Sequence, residues 1–243
     1  MKPMILLAVL LASVSRLWGE AWETTYGELL QNYVTPQGVH YQRWHRHKTD
    51  RARLQGVVEA IGRHSLKGQS RKAKLAFFLN AYNAWILQKI LESYPTRGPG
   101  GGGFLGRTKF FRSKSIQVAG IRTSFHRFEN DLIRASFNEP RIHFALNCAS
   151  ASCPPLHPRA FTESTLDETL EQLTRDFINR NPLAIRYTQP NTIEISEIFK
   201  WYEDDFQHPR SILGYLNQYR EEPIPHTTTI RYQSYQWNLN EAR

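Results

Sequence analysis

The stretch from Arg71 to Ser93 constrains this chain more than any other, because Leu75, Phe78, Leu79, Tyr82, Trp85, Ile86, Ile90 and Leu91 recur at helical spacing. They cover most of the helix circumference rather than one stripe, so the helix must be surrounded by other elements instead of lying on a surface. Tyr94-Pro95 ends it, since a residue before proline avoids helical backbone angles. Asn80 and Asn83 sit three residues apart on this apolar segment. Buried amides need hydrogen-bond partners, so each must fasten something specific.

Around that helix the spacing predicts others over 22–33, over 51–64 (Leu54, Val57, Val58, Ile61) and over 164–179 (Leu166, Leu170, Leu173, Phe177), with more near 196–205 and 209–220. Ser115 to Thr123 reads as a hairpin turning at Ala119-Gly120, and Ser124 as the cap of a helix over 125–136. Ile142 to Leu146 reads as a short buried strand and 147–155 as a tight loop. A second hairpin, Ala184–Tyr187 with Thr192–Ile195, turns through Gln189-Pro190-Asn191, and a last strand is expected around 228–237. Helices and strands without strict alternation indicate an α+β fold: one domain, its central buried helix packed on a small, mainly antiparallel sheet with surrounding helices. Gly98 to Gly103 reads as a mobile surface loop. It is not a nucleotide cradle, because no Gly-Lys-Ser/Thr follows and no helix is expected directly after it.

The first residues have the pattern of a signal peptide over 1–21, with Lys2, an apolar Met4–Val14 and small residues at Gly19 and Ala21; Ser13-Val14-Ser15 is a second candidate cleavage site. Arg16 ends the apolar run well short of the roughly 20 residues that span a bilayer. The expectation is an exported protein, periplasmic or secreted, whose mature part is residues 22–243, with no integral membrane segment after processing; an uncleaved anchor is the other reading. Loss of two cations (Lys2, Arg16) and one anion (Glu20) takes the formal net charge from +9 to +8. That surplus favours acidic partners such as anionic polymers, wall components or lipid headgroups, with an acidic envelope component or a polypeptide as the expected substrate; a solvated basic surface is the plainer reading. The basic residues are scattered apart from Arg43, Arg46, Lys48, Arg51 and Arg53, and there is no nucleic-acid motif. No cofactor is implied.

The chemistry concentrates in one segment, which holds His143, Cys148 and Cys153. A thiol is nucleophilic as thiolate, and a nearby imidazole lowers its pKa and carries its proton. Cys153 or Cys148 is the candidate nucleophile and His143 the candidate base, with Glu129 or Asn80 to orient the ring. Other readings stay open beside this one. In an oxidising compartment Cys148 and Cys153 can close a disulfide, which would make this a binding or scaffold domain. With His143 they also number three soft ligands, but their spacing matches no recognised zinc pattern. Asn80 and Asn83 would then simply tie the helix to a loop. Asp204 and Asp205, near the end of the helix expected over 196–205, oppose its dipole and call for an arginine or the next helix cap to compensate them. Trp201, Tyr202, Phe206, Tyr235 and Trp237 are expected in the core, with a carbohydrate-facing platform as the other reading.

"RIHFALNCASASCPPL" at 141–156 resembles the signature of the family catalogued as domain of unknown function 547. "FFLNAYNAWILQKIL" at 77–91, "FHRFENDLIR" at 125–134, "IEISEIFKWYEDDF" at 193–206 and "YQWNLN" at 235–240 match it in the expected order. Members often carry Ile-Glu-His where this chain has Phe128-Glu129-Asn130; Glu129 is retained. The layout also loosely resembles papain-like and transglutaminase-like folds, with an asparagine on the helix where those have cysteine. That likeness is one of fold alone; the expectation of a cysteine-dependent hydrolase or acyltransferase acting on an amide or ester rests on the cluster of His143, Cys148 and Cys153.

Overall fold

The computed structural model describes residues 22–207 and 211–242. The expected signal peptide, residues 1–21, lies outside them. In chain order the elements are α1 (22–33), the short pair β1 (Val34–Thr35) and β2 (Gly38–Val39), α2 (Tyr41–Arg46), α3 (Lys48–Arg63) and α4 (Arg71–Glu92). Next come α5 (Gly103–Thr108), β3 (Ser115–Val118), β4 (Ile121–Ser124) and a helical stretch from α6 (Phe125–Arg127) to α7 (Ala135–Phe137). α8 (Leu166–Arg180), β5 (Ile185–Gln189), β6 (Thr192–Ser196), α9 (Ile198–Trp201), α10 (Glu203–Gln207), α11 (Ile212–Tyr219) and β7 (Thr229–Gln233) complete the fold.

The fold is α+β. Helix α4 is capped by Ser70, whose hydroxyl accepts from the Ala73 N–H, and it is buried through Leu75–Ala84 and again at Ile86–Gln88, Ile90 and Leu91. It lies in a large apolar cluster with Tyr26, Leu29, Trp44, Leu54, Val58, Phe125 and Phe128. The hairpin β3–β4 turns where expected, with both Ala119 (φ 49°) and Gly120 (φ 80°) left-handed, as a two-residue hairpin turn requires. A second cluster gathers Phe144, Phe177, Ile193, Ile195, Phe199, Phe206 and Leu216 around the sheet β5-β6-β7. There β5 runs antiparallel to β6, while β7 lies parallel to β6 with Ile193 opposite Ile230.

Three local expectations are corrected. Ile142 to Phe144 is not a strand: Pro140–Phe144 forms a 3₁₀ turn, begun by Glu139, whose carboxylate accepts from the Arg141 N–H. Proline at the first position pre-sets a helical turn, and this outweighs the apolar run. The helix expected over 196–205 breaks at Tyr202, so Asp204 and Asp205 occupy the first turn of α10, where the dipole favours carboxylates. The glycine tract is not a free loop, and α5 opens at its last glycine, Gly103.

Those glycines are needed for close approach to the C-terminal segment. A Cβ on Gly98 would lie 2.8 Å from Leu239 N, and one on Gly100 would lie 2.4 Å from Trp237 Cβ. Gly98 also has φ +92°, a conformation L side chains rarely adopt. Gly98→Ala should therefore cost about 1–2 kcal/mol from backbone strain, with the crowding added. The urea midpoint checks this; an unchanged midpoint would show that the tract can move away from Leu239.

Candidate functional site

A cleft of about 490 Å³ opens between the two apolar clusters. Tyr82 comes from α4, and Glu129, Asn130 and Arg134 from the stretch between α6 and α7, which widens into π-type turns over Phe128–Arg134. His143 comes from the 3₁₀ turn, Cys148 and Cys153 from the following loop, and Trp201, Tyr202, Tyr235 and Trp237 from the far wall.

The cysteine loop is fastened from three sides. Asn83 donates to Ala145 O at 2.9 Å and accepts from Asn147 N–H at 2.9 Å. Asn147 donates to Pro154 O at 2.8 Å and accepts from Ala149 N–H at 2.9 Å, which holds Ala149 at φ 62°. The C-terminal segment adds Ala151 N–H to Asn238 O at 2.7 Å and Asn240 N–H to Ala149 O at 3.1 Å. Left-handed alanine is strained, and these bonds over-determine it.

This geometry separates the two cysteines, both free thiols. Cys148 Sγ lies 2.9 Å from Cys153 Sγ, 2.9 Å from Ser150 Oγ and 3.3 Å from Tyr235 Oη. Burial alone would raise the Cys148 pKa, but hydrogen bonds from Cys153, Ser150 and Tyr235 outweigh it and bring the thiol down to about 7. Cys153 is buried, and burial beside a Cys148 thiolate pushes its pKa well up. Of the two thiols, Cys148 is therefore the one that ionises more readily.

His143 is 4% exposed. Its Nε2 lies 2.7 Å from Asp205 Oδ2, and its ring stacks on Tyr202 with centroids 3.9 Å apart. Asp205 also takes a two-pronged bond from Arg134, Nε at 2.7 Å and Nη2 at 2.9 Å. Burial would raise the Asp205 carboxyl, yet the His143 and Arg134 bonds hold it far below the usual carboxylate range. Asn130 accepts from Arg134 Nη1 at 2.5 Å. Glu129 accepts from the Tyr82 hydroxyl at 3.1 Å and the Tyr202 hydroxyl at 2.5 Å. Both phenols have pKa values pushed well up, first by burial and then by Glu129, so they stay protonated donors.

Residues 66–178 match the model of a family described as protein of unknown function, DUF547. Over that stretch the chain is similar to this family. Comparison with curated proteins and with solved structures gives no match. The DUF547 stretch carries α4, Glu129, His143, Cys148 and Cys153, whereas Asp205 and the aromatic wall lie beyond it.

Four of the five candidate catalytic residues, Cys153, His143, Glu129 and Cys148, therefore line one cleft. Asn80 stands apart: its amide donates to Phe161 O and accepts from Phe161 N–H, both at 2.8 Å. Among the described residues no hydrogen bond joins His143 to either sulfur, and no three His, Cys, Asp or Glu side chains form a metal-holding group. The carboxylate on His143 is Asp205, not Glu129, which reaches the ring only through Tyr202. An arginine does compensate Asp205, as its charge required. Of the five aromatic residues expected in the core only Phe206 is buried; Trp201 is 42% exposed and lies with Tyr235 and Trp237 on the cleft wall. Among the described residues no helix is long and apolar enough to cross a membrane.

Proposed function

We propose that the cleft is a thiol-dependent hydrolase or acyl-transfer site for an amide or ester, with Cys148 as nucleophile, and that it works in the periplasm or outside the cell. The observation that carries this reading is the set of donors around Cys148, which stabilises a thiolate near neutral pH at the wall of a cleft also lined by His143. In the reaction, Cys148 attacks the carbonyl carbon and forms a thioester. The leaving amine or alcohol departs with a proton from the imidazolium of His143. Water, or an acceptor alcohol or amine, then attacks the thioester as His143 takes its proton, and Cys148 leaves as thiolate. Asp205 on Nε2 leaves Nδ1 for that transfer, and water or substrate in the cleft spans the gap to the sulfur.

Alkylation kinetics test the nucleophile without knowledge of the substrate. The iodoacetamide rate plotted against pH should have its midpoint near pH 7, with the label at Cys148, and Tyr235→Phe should move the midpoint upward. A midpoint at the ordinary thiol value of about 8.5, or label chiefly on Cys153, would refute the assignment. The closeness of the two sulfurs supports a second reading, a binding domain whose cysteines are joined by oxidation. An intact mass about 2 Da lower before reduction, with no thiol free to label, would favour that one.

A further inference from the structure

The basic residues are less scattered than their spacing along the chain suggests. From Ser93 to Phe128 the sequence holds seven Lys or Arg and no Asp or Glu. The fold gathers several of them into a trough of about 450 Å³, lined by Arg112, Lys114, Arg122, His126 and Arg127 together with the hydroxyls of Ser115 and Thr123. Arg112 and His126 line the cleft as well, so the trough runs into it. Elsewhere Arg53, Arg134, Arg141, Arg175, Arg180 and Arg186 form ion pairs, although Arg43, Arg46 and Arg107 do not among the described residues. Among the described residues Arg112, Lys114, Arg122 and Arg127 form none; Arg122 Nε is held by Ser115 Oγ at 2.8 Å. A row of cations without ion-pair partners attracts and orients an anionic chain.

Strand β4, which contributes Arg122, Thr123 and Ser124, pairs with β3 alone among the described residues. Its other side has backbone groups without a strand partner. An extended polypeptide offers backbone groups to such an edge and carboxylates to the arginines, whereas a polyphosphate or sulfated glycan offers charge alone. We propose that this trough docks an acidic polypeptide and leads it into the cleft. The proposal rests on the reading of the cleft as the place where that chain's amide or ester bond is attacked.

Fluorescence anisotropy of a labelled ten-residue Glu-rich peptide, added to full-length protein carrying Cys148→Ser, tests the docking without turnover. Binding should weaken with salt, and the matched Gln-rich peptide should bind at least about tenfold more weakly. The double variant Arg122→Gln/Arg127→Gln, both exposed, should lose roughly three- to tenfold in affinity, while Lys67→Gln, outside the trough, should leave it unchanged. Equal binding of the two peptides, or indifference to the double variant, overturns the trough. Dextran sulfate binding as tightly per charge as the peptide overturns the polypeptide assignment. Because the nucleophile is absent from this assay, an ordinary Cys148 alkylation profile would remove the hydrolase reading and leave the docking result standing.

Discussion

Asn83→Ala is expected to destabilise the protein by about 3–5 kcal/mol, the sum of two buried backbone groups left unpaired at roughly 1–3 kcal/mol each and the small cavity left behind. Asn83 is 2% exposed and is the partner of both Ala145 O and Asn147 N–H. Water cannot readily replace it there. At roughly 2–4 °C per kcal/mol for a chain of this size, the melting temperature should fall by about 10 °C. The loss should extend to chemistry, because Asn147 fixes the turn that brings Cys148 up to Ser150, Cys153 and Tyr235. With that turn loosened, the alkylation midpoint of Cys148 should rise toward the ordinary thiol value. Asn80→Ala is the matched control: it removes an equally buried amide, but one that fastens Phe161. It should cost comparable stability and leave the Cys148 midpoint in place. If both variants shift that midpoint alike, Asn83 has no specific hold on the cysteine loop.

The two asparagines also show what was legible in the sequence. Polar side chains on an otherwise apolar helix announce that they have partners, and both do. The identity of those partners was hidden, since Phe161 and Asn147 lie 81 and 64 residues away along the chain. Helices α3, α4 and α8 and both hairpins followed from periodicity and turn residues, which are local properties. The turn at Pro140–Phe144 was misread because an apolar run of that length suits a strand and a buried helical turn equally. The proline at its start was the cue that settles the matter.

The site was half legible. His143, Cys148 and Cys153 stand within eleven residues of one another, so their cluster is visible in the sequence. Asp205 is not: it looked like a misplaced charge at a helix end, and only the break at Tyr202 turns it into a well-placed first-turn carboxylate aimed at His143. The basic trough was missed for a related reason. Its cations are separated by apolar and hydroxyl residues, and the signal lay in the absence of any acid between Ser93 and Phe128 rather than in a run of charge.

Asp205→Ala should cost about 2–3 kcal/mol at neutral pH, because Arg134 and His143 lose the one carboxylate they share. Asp205→Asn, which keeps the shape and loses the charge, should cost less and gives the cleaner pH test. The native carboxyl titrates far below the value of about 4 it would have in the unfolded chain, so its contribution to stability is complete above that pH. As the pH falls below about 4 the unfolded state takes up a proton that the native state still refuses, and the contribution drains away. The urea-measured gap between wild type and Asp205→Asn should therefore shrink as the pH falls from about 4 toward 2; a gap that grows over that range would contradict the pairing. The same variant separates two steps of the proposed chemistry. The Cys148 thiolate is held by Ser150, Cys153 and Tyr235 and not by Asp205, so its alkylation midpoint should not move. Turnover of an amide or ester substrate should fall by about a hundredfold or more, because an imidazole without its carboxylate loses its tautomer and orientation. Loss of both together would place Asp205 in the scaffold of the loop, and loss of neither would remove His143 from the mechanism.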